Sequence, residues 1–196
     1  MARPAVRVRS ARMTADRPTH RIEIEGVARE LPLFEVAPDL RIAVFNLLGD
    51  TEIVEAAAAG LARRLDGVST DVLMTAETKS VPLVYELARR TGKPWVVLRK
   101  QYKPYMGETV TAETVSITTG HPQTLHLDEK DRVLVEDRDV VLVDDVISTG
   151  STLDGMRAIV REAGGQVTAV AAVFTEGDAD QVEGIVSLGH LPLFPG

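Results

Sequence analysis

The sequence predicts an α/β domain built on a parallel sheet, and three observations carry that expectation. From Asp71 onward, short apolar runs alternate with segments of helical period, the rhythm of strand–helix–strand units whose strands run parallel. The run Val140 to Val143 is continuously β-branched or leucine, as a strand covered on both faces requires. It ends in Asp144-Asp145 and a Ser/Thr/Gly loop, which puts polar groups at the carboxyl edge of the sheet, where open α/β folds hold ligands. The chain has 196 residues, 44% hydrophobic and 26% charged, the mixture and length of one globular core. Without cysteine it has no disulfide framework and no thiolate metal site. No apolar run reaches the roughly 18 to 20 residues that span a bilayer, and the first residues lack the apolar stretch of a secretory signal, so a cytoplasmic protein is expected. The net charge of -7 opposes an extended nucleic-acid surface but allows a local basic site for a small anion.

Taken in order, the chain opens with six arginines in its first 21 residues (Arg3, Arg7, Arg9, Arg12, Arg17, Arg21) and little apolar periodicity. Residues 1–20 are expected to form a mobile arm, and residues 21–196 a single domain. Arg21 to Glu25 and Val27 to Leu31 flank Glu25-Gly26 as a short hairpin. Ile42 to Leu48 leads into Asp50, which caps a helix with the stripe Ile53, Ala57, Leu61, Leu65. Val72 to Met74 reads as a strand, Val81 to Arg90 as a helix stopped by Gly92 and Pro94, and Trp95 to Leu98 as a strand. Val110 to Ile117 and Thr124 to Leu127, joined through Gly120-His121-Pro122, form a long hairpin or flexible lid. After Val140 to Val143 come a helix from Thr152 to Ala163, closed by Gly164-Gly165, and strands at Val167 to Phe174 and Ile185 to Leu188. His121 and His126 lack the partners and spacing of a metal site and read as structural.

The chemistry concentrates in Val140 to Thr152, VVLVDDVISTGST. Carboxylates at a strand end accept hydrogen bonds from sugar hydroxyls. Ser148, Thr149, Gly150, Ser151 and Thr152 offer hydroxyls and backbone N–H groups at a helix N-terminus, whose dipole favours phosphate. The plain alternative is that these residues only cap the helix. Neither the dinucleotide G-x-G-x-x-G nor the nucleotide-triphosphatase G-x-x-x-x-G-K-[ST] occurs. Two other stretches are candidates. Thr75-Ala76-Glu77-Thr78-Lys79-Ser80 lies between a strand and a helix; the plain alternative is a βα connection with Ser80 as a cap. The second is Arg99 to Thr109. Of only five lysines, Lys79, Lys100 and Lys103 fall in these two stretches, a clustering suited to anions.

An apolar strand, two acids, two apolar residues and a loop resembling TGGT make the chain similar to the type I phosphoribosyltransferases. The resemblance implies a parallel-sheet type I phosphoribosyltransferase fold with a flexible hairpin lid and a small hood. It implies that Asp144 and Asp145 hold the ribose hydroxyls of phosphoribosyl pyrophosphate (PRPP), that Ser148 to Thr152 wrap its 5-phosphate, and that Val146 and Ile147 floor the base site. Ser151 departs from the family, which often has glycine there. Thr75, Ala76, Glu77, Thr78, Lys79 and Ser80 stand in the place of the pyrophosphate loop. Arg99, Lys100, Lys103 and Glu108, within RKQYKPYMGET, resemble the flexible catalytic loop of the adenine branch. The segment Gln101 to Thr114 would close over the site and exclude water, and Glu108 would relay the proton of the base. Mg²⁺ is the expected cofactor, touched indirectly by Asp144 or Asp145, and a homodimer is the expected assembly. Leu33-Phe34 and the tail Leu188 to Phe194 would form the hood. The 6-oxopurine enzymes of one branch place a lysine where this chain has Thr175-Glu176, which favours adenine and AMP as product. Hypoxanthine, guanine or xanthine enzymes, an orotate or other pyrimidine enzyme, and a PRPP-sensing regulator using its Arg-rich arm remain the alternatives.

Overall fold

The computed structural model describes residues 17–115, 122–177 and 184–196. The Arg-rich arm up to Asp16, the hairpin residues Ile117, Gly120 and His121, and residues 178–183 lie outside the described residues. Thr19 and His20, which the sequence assigns to the arm, are the first residues of β1 (Thr19–Ile24). This strand turns through Glu25 and Gly26, both at positive φ (51° and 82°), into β2 (Val27–Ala37), the mirror-image turn that suits a tight hairpin. β2 runs past Leu31 because its second half pairs with β3 (Leu40–Ala43), Leu33 opposite Ala43 and Phe34 opposite Ile42. These antiparallel strands are the body of the hood.

The helix α1 (Thr51–Arg64) begins where the sequence places it. The Asp50 side chain accepts the Ile53 N–H at 3.2 Å, and Arg29 grips the same carboxylate at 2.7 and 2.9 Å, tying helix to hood. Next come β4 (Val72–Ala76), α2 (Val81–Thr91) and β5 (Trp95–Leu98), with Gly92 ending α2 in the left-handed conformation. Within α2, Glu86 is buried and accepts hydrogen bonds from Arg89 (2.8 and 2.7 Å) and Arg90 (2.8 Å). The Arg89 hydrogen bond, ahead of the neighbouring positive charges, holds the Glu86 carboxyl below its ordinary value. A carboxyl lowered by folding adds stability above its unfolded pKa and loses it as pH falls through the folded one. Glu86→Gln is therefore expected to lower stability at about pH 7 and to flatten the acid side of the stability–pH curve, as read by urea unfolding between about pH 3 and 7.

The hairpin consists of β6 (Val110–Val115) and β7 (Pro122–Leu127). It is followed by β8 (Asp139–Ile147), α3 (Ser151–Glu162), β9 (Gln166–Glu176), β10 (Val186–Leu191) and β11 (Phe194–Pro195). Five strands form one sheet in the order β10-β9-β8-β4-β5, every pair parallel. After β5 the chain returns across the sheet to β8, so the order reverses between β4 and β8, and the crevice at their carboxyl ends is the expected ligand position. Val141 and Val143 pack with α1 and α2, whereas Val140 and Leu142 pack with Met156, Ile159 and Val160 of α3. Burial on both faces explains the unbroken apolar run.

Two further features differ from expectation. Residues Leu188 to Leu191 belong to β10 in the core sheet, and only the end of the tail reaches the hood, where β11 pairs with β3 through Phe194. Ladder partners from β9 extend through Leu191, which outweighs the glycine at position 189. The β6–β7 hairpin is seated at its base: Leu125 and Leu127 are buried, and Thr114 is buried against Gly155 of α3 while its Oγ1 donates to the Gln123 carbonyl. Arg99 and His126 exchange backbone hydrogen bonds at 2.9 and 2.8 Å, joining the hairpin to the segment after β5. Thr114, expected in the closing segment, is thus a fixed point. No helix among the described residues is long and apolar enough to cross a membrane.

Candidate active site

The carboxyl ends of β4 and β8 bring two of the three candidate stretches together. Asp144 and Asp145 are residues of β8 itself, held by its continued pairing with β9, Asp144 beside Ala172 and Val146 beside Phe174. From the loop after β4, the Ser80 hydroxyl lies 2.7 Å from Asp144 Oδ1 and 3.3 Å from Asp145 Oδ1, and it accepts the Asp145 N–H at 3.0 Å. Lys79 Nζ lies 2.9 Å from Asp145 Oδ2 and 3.4 Å from the Phe45 carbonyl, so one ammonium touches both acid pair and hood side. Asp145 is buried, and its Oδ2 has no hydrogen bond of good angle despite the nearby ammonium. Burial first, then the Asp145 carboxylate beside it, pushes the Asp144 carboxyl up to about 7, against the hydrogen bond from Ser80.

Beyond the acids, residues Val146 to Leu153 and Asp144 line a small hollow of about 100 Å³. Gly150, at φ 77°, is the N-cap of α3 and brings no side-chain cap. Ser148, Thr149, Ser151 and Thr152 therefore do not spend their hydroxyls on capping, and the open N–H groups of a twelve-residue helix face the loop. The loop's hydroxyls and the helix's open N–H groups are thus available to an anion. Val146 packs against the cluster that includes Phe45 and Phe174, whose rings meet edge to face at 5.0 Å. Ile147 is buried on the opposite side, in the cluster of Leu153 and Met156, and of the two only Val146 is partly open.

The residues Thr75 to Ser80 divide by exposure. Thr75 and Ala76 are buried strand residues, Thr78 and Lys79 are exposed, and Ser80 is 2% exposed with its hydroxyl turned to the acids instead of to the helix. The Glu77–Thr78 peptide is cis. Glu77 accepts Arg99 Nε at 2.7 Å and the Lys100 N–H at 2.6 Å, which joins the second stretch to the third. Glu77, Thr78, Arg99 and Tyr105 line a wider groove of about 670 Å³, which the acid pair does not line. Lys103 and Glu108 are exposed, and among the described residues neither side chain makes a hydrogen bond or ion pair with Asp144 or Asp145. Their segment is anchored by its backbone: the Lys103 N–H points at Met106 Sδ (3.1 Å), and the Glu108 N–H at Glu129 Oε2 (2.8 Å). Sequence patterns missed Glu77 as a clamp and Ser80 as a bridge, because both depend on which loops the topology brings together. Glu176, which the sequence marks with Thr175 as a departure from the 6-oxopurine branch, is half-buried at the end of β9, and burial pushes its carboxyl upward against the charge of Lys79.

The family model for the phosphoribosyl transferase domain matches residues 47–184, a span that contains both meeting loops. The chain belongs to the phosphoribosyltransferase family. Its relatives include an adenine phosphoribosyltransferase of Butyrivibrio fibrisolvens, 30% identical over 76% of this chain and 79% of that protein. A hypoxanthine/guanine phosphoribosyltransferase of Methanotorris igneus is 27% identical over 67% of this chain and 68% of its own length. The purine biosynthesis transcriptional repressor of Bacillus subtilis is 26% identical over 74% of this chain, which spans half of that protein. The solved adenine phosphoribosyltransferase of Thermoanaerobacter pseudethanolicus superposes with a TM-score of 0.66 at 22% identity, covering 82% of this phosphoribosyltransferase and 95% of that chain. The five-stranded parallel sheet with its antiparallel hood is the type I phosphoribosyltransferase fold.

Proposed function

We propose that this phosphoribosyltransferase moves the 5-phosphoribosyl group of PRPP to a purine, with adenine as the base and AMP and pyrophosphate as products. The observation that carries this reading is the meeting of the 75–80 loop with Asp144-Asp145 and the uncapped 148–152 loop at one switch point. The loop 148–152 binds the 5-phosphate, and Asp144 and Asp145 accept hydrogen bonds from the 2- and 3-hydroxyls. Thr78 and Lys79, with Arg99 and Lys100 beyond the Glu77 clamp, face the pyrophosphate. Val146 carries the ring. As the bond from C1 to the pyrophosphate oxygen breaks, a ring nitrogen of the base bonds to C1 and gives up its proton, for which Glu108 is the acceptor. Closure of the segment before Thr114 brings Lys103 and Glu108 to the site and excludes water.

The acid pair offers hard oxygen donors: Asp144 Oδ1 is committed inward, which leaves Asp144 Oδ2 for a ligand, and Asp145 Oδ2 already faces one cation, the Lys79 ammonium, so the residues fit Mg²⁺. No cluster of three or more ligating side chains stands ready among the described residues, so the oxygens of PRPP would complete the coordination. Bound there beside Asp144 and Asp145, the ion would neutralise charge growing on the pyrophosphate.

Adenine is supported by the Gly107-Glu108-Thr109 resemblance and by the Butyrivibrio relative. A 6-oxopurine is the rival base, supported by the Methanotorris relative. A PRPP-sensing regulator is the second reading, supported by the Bacillus relative and the Arg-rich start of the chain. A cytoplasmic homodimer completes the proposal. Pyrophosphate release is to be followed with PRPP, Mg²⁺ and each of adenine, hypoxanthine, guanine, xanthine and orotate. Adenine is expected to give the fastest rate; a faster 6-oxopurine moves the assignment to that branch. Salt-sensitive DNA binding lost with residues 1–21, without turnover of any base, replaces it with the regulator. Lys103→Ala is expected to lower kcat about tenfold or more while the dissociation constant of PRPP changes less, as transition-state neutralisation requires. Equal kcat in variant and parent removes Lys103 from the catalytic set.

A further inference from the structure

Ser80 opens α2 without serving it. It sits at the N-cap in the right-handed helical conformation, and its side chain makes no capping hydrogen bond. It is 2% exposed, so it is closed to a bound pyrophosphate. A hydroxyl has one proton and two lone pairs. The 2.7 Å contact takes the proton to Asp144 Oδ1, the Asp145 N–H at 3.0 Å fills a lone pair, and the 3.3 Å approach to Asp145 Oδ1 is the secondary one. Asp144 Oδ1 also accepts the Asp145 N–H at 2.9 Å, so this oxygen is committed inward and Oδ2 is the one left for a ligand. The hydroxyl on the β4 loop, with the Asp145 N–H beside it, thus sets the rotation of the carboxylate at the end of β8.

We infer that Ser80 is a positioning residue: it orients the Asp144-Asp145 pair for the vicinal hydroxyls of the ribose and couples that pair to the loop of Thr78 and Lys79. The inference rests on the reading of the acid pair as a ribose-diol site. Removing the hydroxyl frees Asp144 to turn and leaves its Oδ1 one donor short, so recognition of the diol weakens while the phosphate cradle at 148–152, which Ser80 does not touch, is retained.

The experiment compares ribose 5-phosphate with 2-deoxyribose 5-phosphate by calorimetric titration into the parent, Ser80→Ala and Ser80→Thr, with thermal unfolding of each as a check on folding. The parent is expected to prefer ribose 5-phosphate by about tenfold, the scale of one charge-assisted hydrogen bond. In Ser80→Ala the preference falls to about twofold or less, because ribose 5-phosphate binding weakens more than that of the deoxy sugar, which has only the 3-hydroxyl to lose; Ser80→Thr, which keeps the hydroxyl, restores it. A merely structural Ser80 would weaken both sugars alike. Unchanged preference in Ser80→Ala, or equal loss for both sugars, overturns the inference while leaving the diol site standing. A parent without preference overturns the diol site itself, and the role of Ser80 with it.

Discussion

Replacing Asp144 and Asp145 together by asparagine is expected to lower turnover by about a thousandfold or more, with the far-UV circular dichroism unchanged. Asparagine keeps the shape of each side chain but removes the charge that holds the sugar hydroxyls and offsets a cation-like ribose as the C1 bond breaks. Losing preorganised charge at such a centre costs about a hundredfold to a thousandfold per group. Folding is expected to survive. Burial already disfavours the ionised Asp144, so a neutral amide there relieves a cost of the free protein, while the amide at position 145 gives up an ion pair with the half-exposed Lys79, which is worth little. The measurements are the initial rate of pyrophosphate release and the circular dichroism of the same sample. Turnover at the parent's rate would place the chemistry elsewhere.

The second large effect concerns the seat of the hairpin. A Cβ at Gly155 would lie 2.2 Å from Thr114 Cγ2 and 3.2 Å from Leu125 Cδ1, so α3 and β6 touch there only because position 155 has no side chain. Gly155→Leu is expected to cost about 3 kcal/mol, the upper range of overpacking, because the hairpin must lift off α3. Gly155→Ala should cost less, and Thr114→Ser in the same chain should recover part of the loss, since it removes the clashing methyl and keeps the hydroxyl bonded to Gln123. Urea unfolding of the three variants checks this. A Gly155→Leu protein as stable as the parent would show that the hairpin is not held at this contact.

The order of strands and helices was legible in the sequence wherever a local pattern decides the matter. Asp50 caps α1, Gly92 stops α2, and the apolar run of β8 is buried on both faces because it lies inside a parallel sheet. The acid pair and the hydroxyl loop were legible for a similar reason: strand, acids, loop and helix are contiguous, so their geometry follows from one strand–helix unit. What was not legible is long-range. Ser80 meets Asp144 and Asp145 across sixty-four and sixty-five residues, and no spacing rule distinguishes that bridge from an ordinary cap. Glu77 as the clamp on Arg99 depends on β4 and β5 lying side by side. The packed base of the hairpin turns on the bare Gly155, whereas the Thr- and Gly-rich sequence of Arg99 to Val133 resembles a loose lid. The tail misleads in the same way. From Leu188 it reads as part of the hood, yet β10 continues through Gly189 by its pairing with β9, and the glycine is there because the Phe174 ring occupies the space a Cβ would take.

The proposed transfer requires that the joined loops form a catalytic PRPP site and not a passive one. Radiolabelled adenine mixed with the protein, PRPP and Mg²⁺, followed by separation of base from nucleotide, tests it most directly. Labelled AMP forming in equal amount to released pyrophosphate, over many turnovers, is the predicted result. PRPP bound with its normal affinity while neither AMP nor pyrophosphate appears would contradict it.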